Sequence, residues 1–378
     1  MTGLYLHIPF CKQACSYCDF YFVTRTGRKS EFVKALRQEI IGSRERFVVD
    51  DKISTLYFGG GTPSLLSLKE VEEIMETVRK IYDVSALTEV TFEMNPDDVN
   101  EDYLKGLSRL GINRVSMGVQ TFNPDRLAFM NRAHNRQEAL HCLELLHNSP
   151  IDSFNADLIY GNPGQSIADL AEDVNTLLRF SPPHISAYAL TIEPRTRLGT
   201  LNKKGKLKTA GEDMVARHID YVVDALAAQG IERYEVSNYA RQGHEARHNS
   251  AYWNHINYLG FGPAAHSFLW NHDKKGARRW KNTANLKAYL ENVNKTEGTS
   301  VEELSLTSLA EERLMMGLRT RQGVSLSQLL NDYSYRFSIR QSRYLEKMEE
   351  EGYVEQGYNL SLTGKGIKIA DFIIAKIV

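Results

Sequence analysis

Six strand-like segments alternate with helix-like ones over residues 1–230, and that alternation restricts the chain to a parallel α/β architecture. Leu4 to Ile8, Ile53 to Phe58, Glu89 to Met94, Arg114 to Val119, Phe154 to Ile159 and Ile185 to Leu190 read as the strands. Helices are predicted from a cap at Ser30 to about Arg46, from the capping-box pair Ser67 and Glu70 to Tyr82, and from Glu101 to Leu110, where Gly111 stops the helix. The next helix is split near Ala133, and two more run from Ile167 to Phe180 and from Glu212 to Gln229. Right-handed crossovers curl six such units into an open barrel or a doubly wound sheet, and the pattern leaves both open.

Polar and glycine-rich motifs fall directly behind the strands. Cys11 follows the first, GGGTP (Gly59 to Pro63) the second, MNP (Met94 to Pro96) the third, Gln120 the fourth and GNPGQ (Gly161 to Gln165) the fifth. Parallel α/β folds bind ligands at the carboxyl ends of their strands, so all five motifs are expected around one mouth.

The chain has four cysteines, and three of them, Cys11, Cys15 and Cys18, sit in a CxxxCxxC run on the first of these loops. An odd trio cannot pair into a disulfide framework, and a chain of 378 residues needs no such staples. A closed zinc site wants four ligands, which would require a residue such as His7 to join. Three thiolates on one loop fit an iron–sulfur cubane better, with one metal corner left open for chemistry. Cys142 lies on a helix from Arg136 to His147 and reads as core packing.

With 46 basic and 47 acidic residues the net charge is −1, which gives no electrostatic footprint for nucleic acid. The start, MTGLYLHIPF, lacks the charged and apolar regions of a signal peptide, and no apolar run reaches the roughly 18 residues of a membrane span. Free thiolates without an export signal predict a cytoplasmic protein. Residues 231–300 are rich in Tyr, Asn, His and Trp and read as an extension near the ligand mouth. Residues 301–378 are mostly helical, ending in a helix (Gln341 to Glu351), a hairpin and a last helix from Gly366, the outline of a winged helix. The acidic run Glu349, Glu350 and Glu351 on the candidate recognition helix would repel phosphates, so a docking or capping role is expected there rather than nucleic-acid binding.

The CxxxCxxC run behind the first strand, with Tyr17 inside it, resembles the signature of the radical S-adenosylmethionine (SAM) family. The resemblance implies a partial (β/α)6 barrel over residues 1–230, a [4Fe–4S] cluster on the three cysteines and SAM chelated at the open iron. It also implies one-electron cleavage of the sulfonium to a 5′-deoxyadenosyl radical, with a flavodoxin or ferredoxin as electron donor. Further segments, YLHIPFCKQACSYCDF, YFGGGTPSLL, FEMNPDD, RVSMGVQTF, NRAHN, DLIYGNPGQ, ISAYALTIEP, YEVSNYA and GLRTRQGV, resemble the oxygen-independent coproporphyrinogen III dehydrogenase group. By that resemblance Gly60, Gly61 and Thr62 approach the methionine end of SAM, and Glu93 bonds its amino group or ribose. Gln120 and Asp157 take ribose-side positions, Arg132 pairs with the SAM carboxylate, and Tyr5 and Tyr17 flank the ligand.

Two departures divide that group. The dehydrogenases carry a fourth cysteine, where this chain has Phe20, and a longer N-terminal arm. Both departures are shared with HemW-type haem chaperones, which hand haem to acceptor proteins. The run His248-Asn249-Ser250-Ala251-Tyr252-Trp253 matches the HNxxYW motif of that chaperone group. The expected roles are His248 as axial iron ligand, Asn249 as its orienter or a propionate partner, and Tyr252 and Trp253 stacked on the macrocycle edge. His266, in GFGPAAHSF, reads either as lining the same mouth or as a packed core histidine. The alternative function is decarboxylation of coproporphyrinogen in porphyrin biosynthesis. The expected partners are haem and haem-accepting proteins, a membrane-associated acceptor among them.

Overall fold

The computed structural model describes residues 2–46, 52–293 and 300–378. Strands β1 (Thr2–Ile8), β2 (Ile53–Gly60), β3 (Glu89–Met94), β4 (Arg114–Gln120), β5 (Ser153–Tyr160) and β6 (His184–Ala189) lie side by side in sequence order, all parallel. An order without reversal means that every crossover steps the same way, so the helices collect on one face and the sheet curls round the other. A doubly wound sheet would reverse its order midway. The open barrel is the arrangement found.

The outer helices are α1 (Lys29–Arg46), α2 (Leu68–Ile81), α3 (Glu101–Leu110), α4 (Pro124–Phe129), α5 (Arg136–His147), α6 (Ile167–Leu178), α7 (Arg197–Lys203) and α8 (Glu212–Ala227). The capping box of α2 forms as expected, Ser67 accepting from the Glu70 amide and Glu70 from the Ser67 amide, a device worth about 1 kcal/mol. Helix α1 starts at Lys29, so Ser30 stands inside its first turn and not at its cap. Asn135 and Glu138 form a second capping box that restarts the split helix as α5. Helix α7 was not expected. Its Gly199 allows the tight approach, since a Cβ there would stand 2.1 Å from the Glu193 carbonyl oxygen.

Side chains alternate across each parallel strand. One set, including Leu4, Leu6, Ile8, Leu56, Phe58, Val90, Phe92, Val115, Met117, Ala156 and Ile185, joins the main hydrophobic core. The other set points into the barrel and lines its cavities: Tyr5 and His7 from β1, Tyr57 from β2, Thr91 and Glu93 from β3, Ser116 and Gln120 from β4, Asn155 and Asp157 from β5.

Beyond α8 the chain builds both edges of the sheet. Strands β7 (Glu232–Arg233) and β8 (Asn238–Ala240) add antiparallel to β6. Helix α9 (Arg247–Trp253) follows, then β9 (Asn257–Phe261) parallel to β1, with β10 (His266–Trp270), β11 (Gly276–Lys281) and β12 (Ser300–Ser305) continuing antiparallel, and α10 (Leu286–Asn292) between the last two. A second core lies beneath α11 (Leu306–Gly317), β13 (Val324–Ser325), α12 (Leu326–Tyr333), α13 (Ile339–Glu350), the hairpin β14 (Val354–Gln356) and β15 (Asn359–Leu362), and α14 (Ala370–Ile377). Phe268, Ala277 and Leu304 of the main sheet belong to it, so this C-terminal module is packed onto the edge strands. Arg313 of α11 ties it to α9 by donating to the Trp253 carbonyl at 3.1 Å and to Asn254 Oδ1 at 3.2 Å. Among the described residues no helix is long and apolar enough to cross a membrane.

Candidate functional site

The loop behind β1 carries the three cysteines and is clasped at its base. The Cys11 amide donates to the Val23 carbonyl at 3.0 Å, and the Val23 amide to the Pro9 carbonyl at 2.7 Å. Farther out, the Ser16 amide bonds the Met130 carbonyl, Asn131 Nδ2 bonds the Ala14 carbonyl, and the Leu198 amide bonds the Ser16 carbonyl. The loop is thereby held by the α4–α5 connection and by α7.

Cys11, Cys15 and Cys18 are half-buried free thiols lining one cavity of ≈550 Å³ at the strand ends. Burial pushes the Cys18 thiol up to about 12 and raises that of Cys11. Cys142 is buried in the core against Met117, as expected. His7 is engaged elsewhere, with Nε2 2.8 Å from the Tyr21 carbonyl oxygen. Among the described residues no three His, Cys, Asp or Glu side chains converge as ligands of one ion do. Three thiols on one loop suit a cubane with a vacant corner better than a closed four-ligand site.

Gly60 and Gly61 serve the join between β2 and the cysteine loop. Gly60 has φ of 107°, and a Cβ on it would stand 2.5 Å from His7 Nδ1. A Cβ on Gly61 would stand 2.7 Å from the Phe10 carbonyl oxygen, and the Gly61 amide bonds the Ile8 carbonyl at 2.8 Å. Both residues also line the cavity, as the expected approach to a ligand requires.

An arc of hydrogen bonds runs from one cysteine to another. Thr62 Oγ1 donates to Cys11 Sγ at 3.5 Å, and Asn95 Nδ2 donates to Thr62 Oγ1 at 3.3 Å. Arg132 Nη2 donates to Asn95 Oδ1 at 2.7 Å and to the Gly118 carbonyl at 2.9 Å, while Nη1 reaches Cys15 Sγ at 3.3 Å and the Tyr17 hydroxyl at 3.4 Å. Burial alone would depress the Arg132 guanidinium, but Tyr17 and Cys15 hold it above its ordinary range. Its Nε and Gln120 Oε1 are buried without a partner among the described residues. Gln120 itself sits at φ of 69°, in the left-handed region. A donor and an acceptor left unpaired in one cavity fit a polar ligand such as the amino-acid and ribose groups of SAM.

Two carboxyls face the same space. Glu93 accepts from the Tyr57 hydroxyl at 2.7 Å and the Gly60 amide at 3.1 Å, and burial pushes it up to about 7. Asp157 accepts from Asn155 Nδ2 at 2.6 Å, and burial raises it to about 6. Asn155 also bonds His184 and Ser116, and His184 Nε2 meets the Tyr234 hydroxyl at 2.8 Å. Tyr57, Asn95, Arg114, Asn155, His184, Ser186 and Tyr188 line this cavity and were not singled out from the sequence. The period of two along β2 to β6 would have found most of them, because they share the face of Glu93, Gln120 and Asp157.

A second cavity, of ≈1020 Å³, opens beside the first, and Cys15, Cys18, Phe20, Tyr57, Glu93 and Asn249 line both. Tyr5 lines the second and not the first, stacked with Tyr57 at 5.9 Å and His248 at 6.4 Å, so the structure separates it from Tyr17. The expected haem motif forms α9. Glu89 accepts from the Arg247 and His248 amides, at 2.8 and 2.9 Å. His248 is 1% exposed, with Nδ1 2.8 Å from Thr55 Oγ1 and Nε2 2.8 Å from the Tyr252 hydroxyl. Burial lowers it to about 3, so the ring is neutral with both nitrogens engaged. It forms part of the cavity floor, at the level of the strand starts Gly3 and Thr55, and offers iron no free lone pair in this conformation. Asn249 and Tyr252 reach the second cavity, and Trp253 lines neither.

The wall of the second cavity mixes aromatic surface, an imidazole unpaired among the described residues, and cations. Tyr5, Tyr57, Tyr252, Tyr258, Phe20 and Phe22 supply the first, His266 the second, and Arg197 and Lys281 the third. That mixture fits a flat, apolar, anionic metal chelate such as haem.

The radical SAM superfamily model matches residues 5–177, and the HemN C-terminal domain model matches residues 304–369. A heme chaperone HemW from Lactococcus lactis subsp. lactis is 32% identical over 376 residues, covering 99% of this chain and 97% of the relative. The heme chaperone HemW of Bacillus subtilis is also 32% identical, over 94% of this chain and 93% of its own. Among solved structures, the coproporphyrinogen III oxidase HemN of Escherichia coli superposes with a TM-score of 0.82 over 99% of this chain and 89% of that one, at 23% identity, a likeness of fold.

Proposed function

Since the chain belongs to the radical SAM superfamily and, within it, to the family of the HemW relatives, we propose that it is a haem chaperone that binds a [4Fe–4S] cluster, SAM and haem and passes haem to acceptor proteins. The observation that carries the reading is the pair of adjoining cavities that meet at the cysteine loop, one polar with unpaired donor and acceptor, the other aromatic and cationic.

Cys11, Cys15 and Cys18 would hold the cluster. The cluster, when bound, supplies an open iron for SAM and a single electron. Arg132 would set a fixed positive charge beside the cluster and the SAM carboxylate, with Asn95 and the Gly118 carbonyl locking its plane. Glu93, Gln120 and Asp157 would orient the amino and ribose groups from the strand ends, and Tyr17, hydrogen bonded to Arg132, would pack against the ligand. Phe20, 71% exposed on the shared rim, stands where the dehydrogenases carry a fourth cysteine, and it gives a macrocycle an apolar seat in place of a sulfur.

Anaerobic reconstitution followed by separate titrations with hemin and coproporphyrinogen III tests the proposal. A hemin-dependent Soret band, transfer of that haem to an apo-acceptor and no vinyl product are expected. Absence of the band, or turnover of coproporphyrinogen, would overturn it.

A further inference from the structure

We infer that His266, and not His248, supplies the axial nitrogen to haem iron, with Lys281 and Arg197 meeting the propionates. The inference rests on the haem-binding reading above and names the ligand within it.

An axial ligand needs a neutral imidazole with a lone pair facing the cavity. Three imidazoles line the second cavity: His7, His248 and His266. His248 spends both nitrogens on Thr55 and Tyr252. His7 spends its own on the Tyr21 carbonyl and the Tyr5 hydroxyl. His266 is exposed, and among the described residues neither of its ring nitrogens has a hydrogen-bond partner. It is the first residue of β10, directly after the turn that leaves β9, and it pairs in register with Lys281 of β11. Partial burial, with Lys281 and Arg279 nearby, lowers its proton affinity and favours the neutral, ligating form.

Haem carries two carboxylates at the edge of its ring, which cations on the cavity wall would pair. Arg195 lines the cavity but is committed to Asp19 at 2.7 Å. Arg197 and Lys281 are exposed there and make no ion pair among the described residues. Their charges line the same cavity as that imidazole, an arrangement that suits an anionic iron chelate.

The test titrates hemin into the full-length protein and into His266→Ala, His248→Gln, Lys281→Glu and Arg197→Glu, reading the Soret position and the EPR spin state. Iron and sulfide content after anaerobic reconstitution confirms that each variant is folded. His266→Ala is expected to weaken hemin binding at least about tenfold and to lose the imidazole-ligated signature. Added free imidazole should restore that signature, while folded His248→Gln should retain it. Lys281→Glu and Arg197→Glu should weaken hemin about fivefold each and leave hemin dimethyl ester, which has no free propionates, unaffected. A His266→Ala spectrum identical to wild type while wild type binds hemin would sink the ligand assignment alone. Failure of wild type to bind hemin would overturn this inference together with the chaperone reading. Equal losses for hemin and its ester would refute the propionate pairing.

Discussion

Arg132 Nη1 lies 3.3 Å from the sulfur of Cys15, while its other terminal nitrogen is pinned by Asn95 and the Gly118 carbonyl. The guanidinium is thus fixed before any ligand arrives, with its plane set by two strand ends. A lysine would keep the charge but could not span these partners. Arg132→Lys is therefore expected to retain iron and sulfide after reconstitution yet bind SAM about tenfold more weakly, a loss of roughly 1.4 kcal/mol. Anaerobic equilibrium dialysis with labelled SAM measures it, and an unchanged affinity would remove Arg132 from the SAM site.

His248 has a structural job by its hydrogen bonds, and that job can be measured apart from haem. Thr55→Val strips the partner from Nδ1, and Tyr252→Phe strips the partner from Nε2. Each leaves a fully buried nitrogen unsatisfied, so each should lower unfolding free energy by about 1–3 kcal/mol in urea titrations. If neither variant moves the midpoint, the imidazole is not held as its geometry implies.

The barrel was legible because each strand is bounded by turn residues and each helix by a cap, as at Ser67 and Glu70 or at Gly111. Strand order was not, since alternation of elements fits both a barrel and a doubly wound sheet and only pairing decides. The cysteine trio was visible as spacing. Asn95, Asn155 and His184 were hidden because each is an ordinary polar residue in sequence and acquires meaning only from its neighbours across strands. His248 shows the reverse case. Its motif marks it for attention and the i,i+4 spacing brings Tyr252 beside it, but Thr55 reaches it from β2, which no local pattern displays. His266 was ambiguous for the same reason, since a strand-start histidine is core or rim according to which edge its strand joins.

Glycine at the second strand end is required by contact as well as by conformation. Gly60→Ala would place a Cβ 2.5 Å from His7 at a positive φ, and Gly61→Ala one 2.7 Å from the Phe10 carbonyl oxygen. The first must displace the His7 ring on β1, and the second must push the entry of the cysteine loop away from β2. Both variants should lose about 1–3 kcal/mol of stability and a large part of their reconstituted iron, read by thermal melts and iron assay. Gly243→Ala offers a control: it shares a positive φ but meets nothing within 4 Å, so it should lower the melt without touching iron content.

Glu39 on α1 gives the clearest pH signature away from the cysteine loop. Its carboxyl accepts from the Gly262 amide at 2.8 Å, the Tyr289 hydroxyl at 2.7 Å and Asn282 at 2.6 Å, and burial pushes it from 4.5 up to about 7. Between those values the unfolded chain has released the proton and the folded chain still holds it. Stability contributed by this group therefore falls as pH rises through that window and is level above it. Buried His7, His134, His248 and His255, each lowered by burial to about 3 or 4, act in the opposite sense below pH 6.5, since the unfolded chain alone takes up their protons. The two effects overlap in the wild-type curve, so Glu39→Gln is needed to separate them. Relative to wild type, the variant should gain on the order of 1–3 kcal/mol between pH 5 and pH 8, compared in urea titrations at the two values. A constant offset at both would mean that Glu39 is ionised throughout, held so by its three donors.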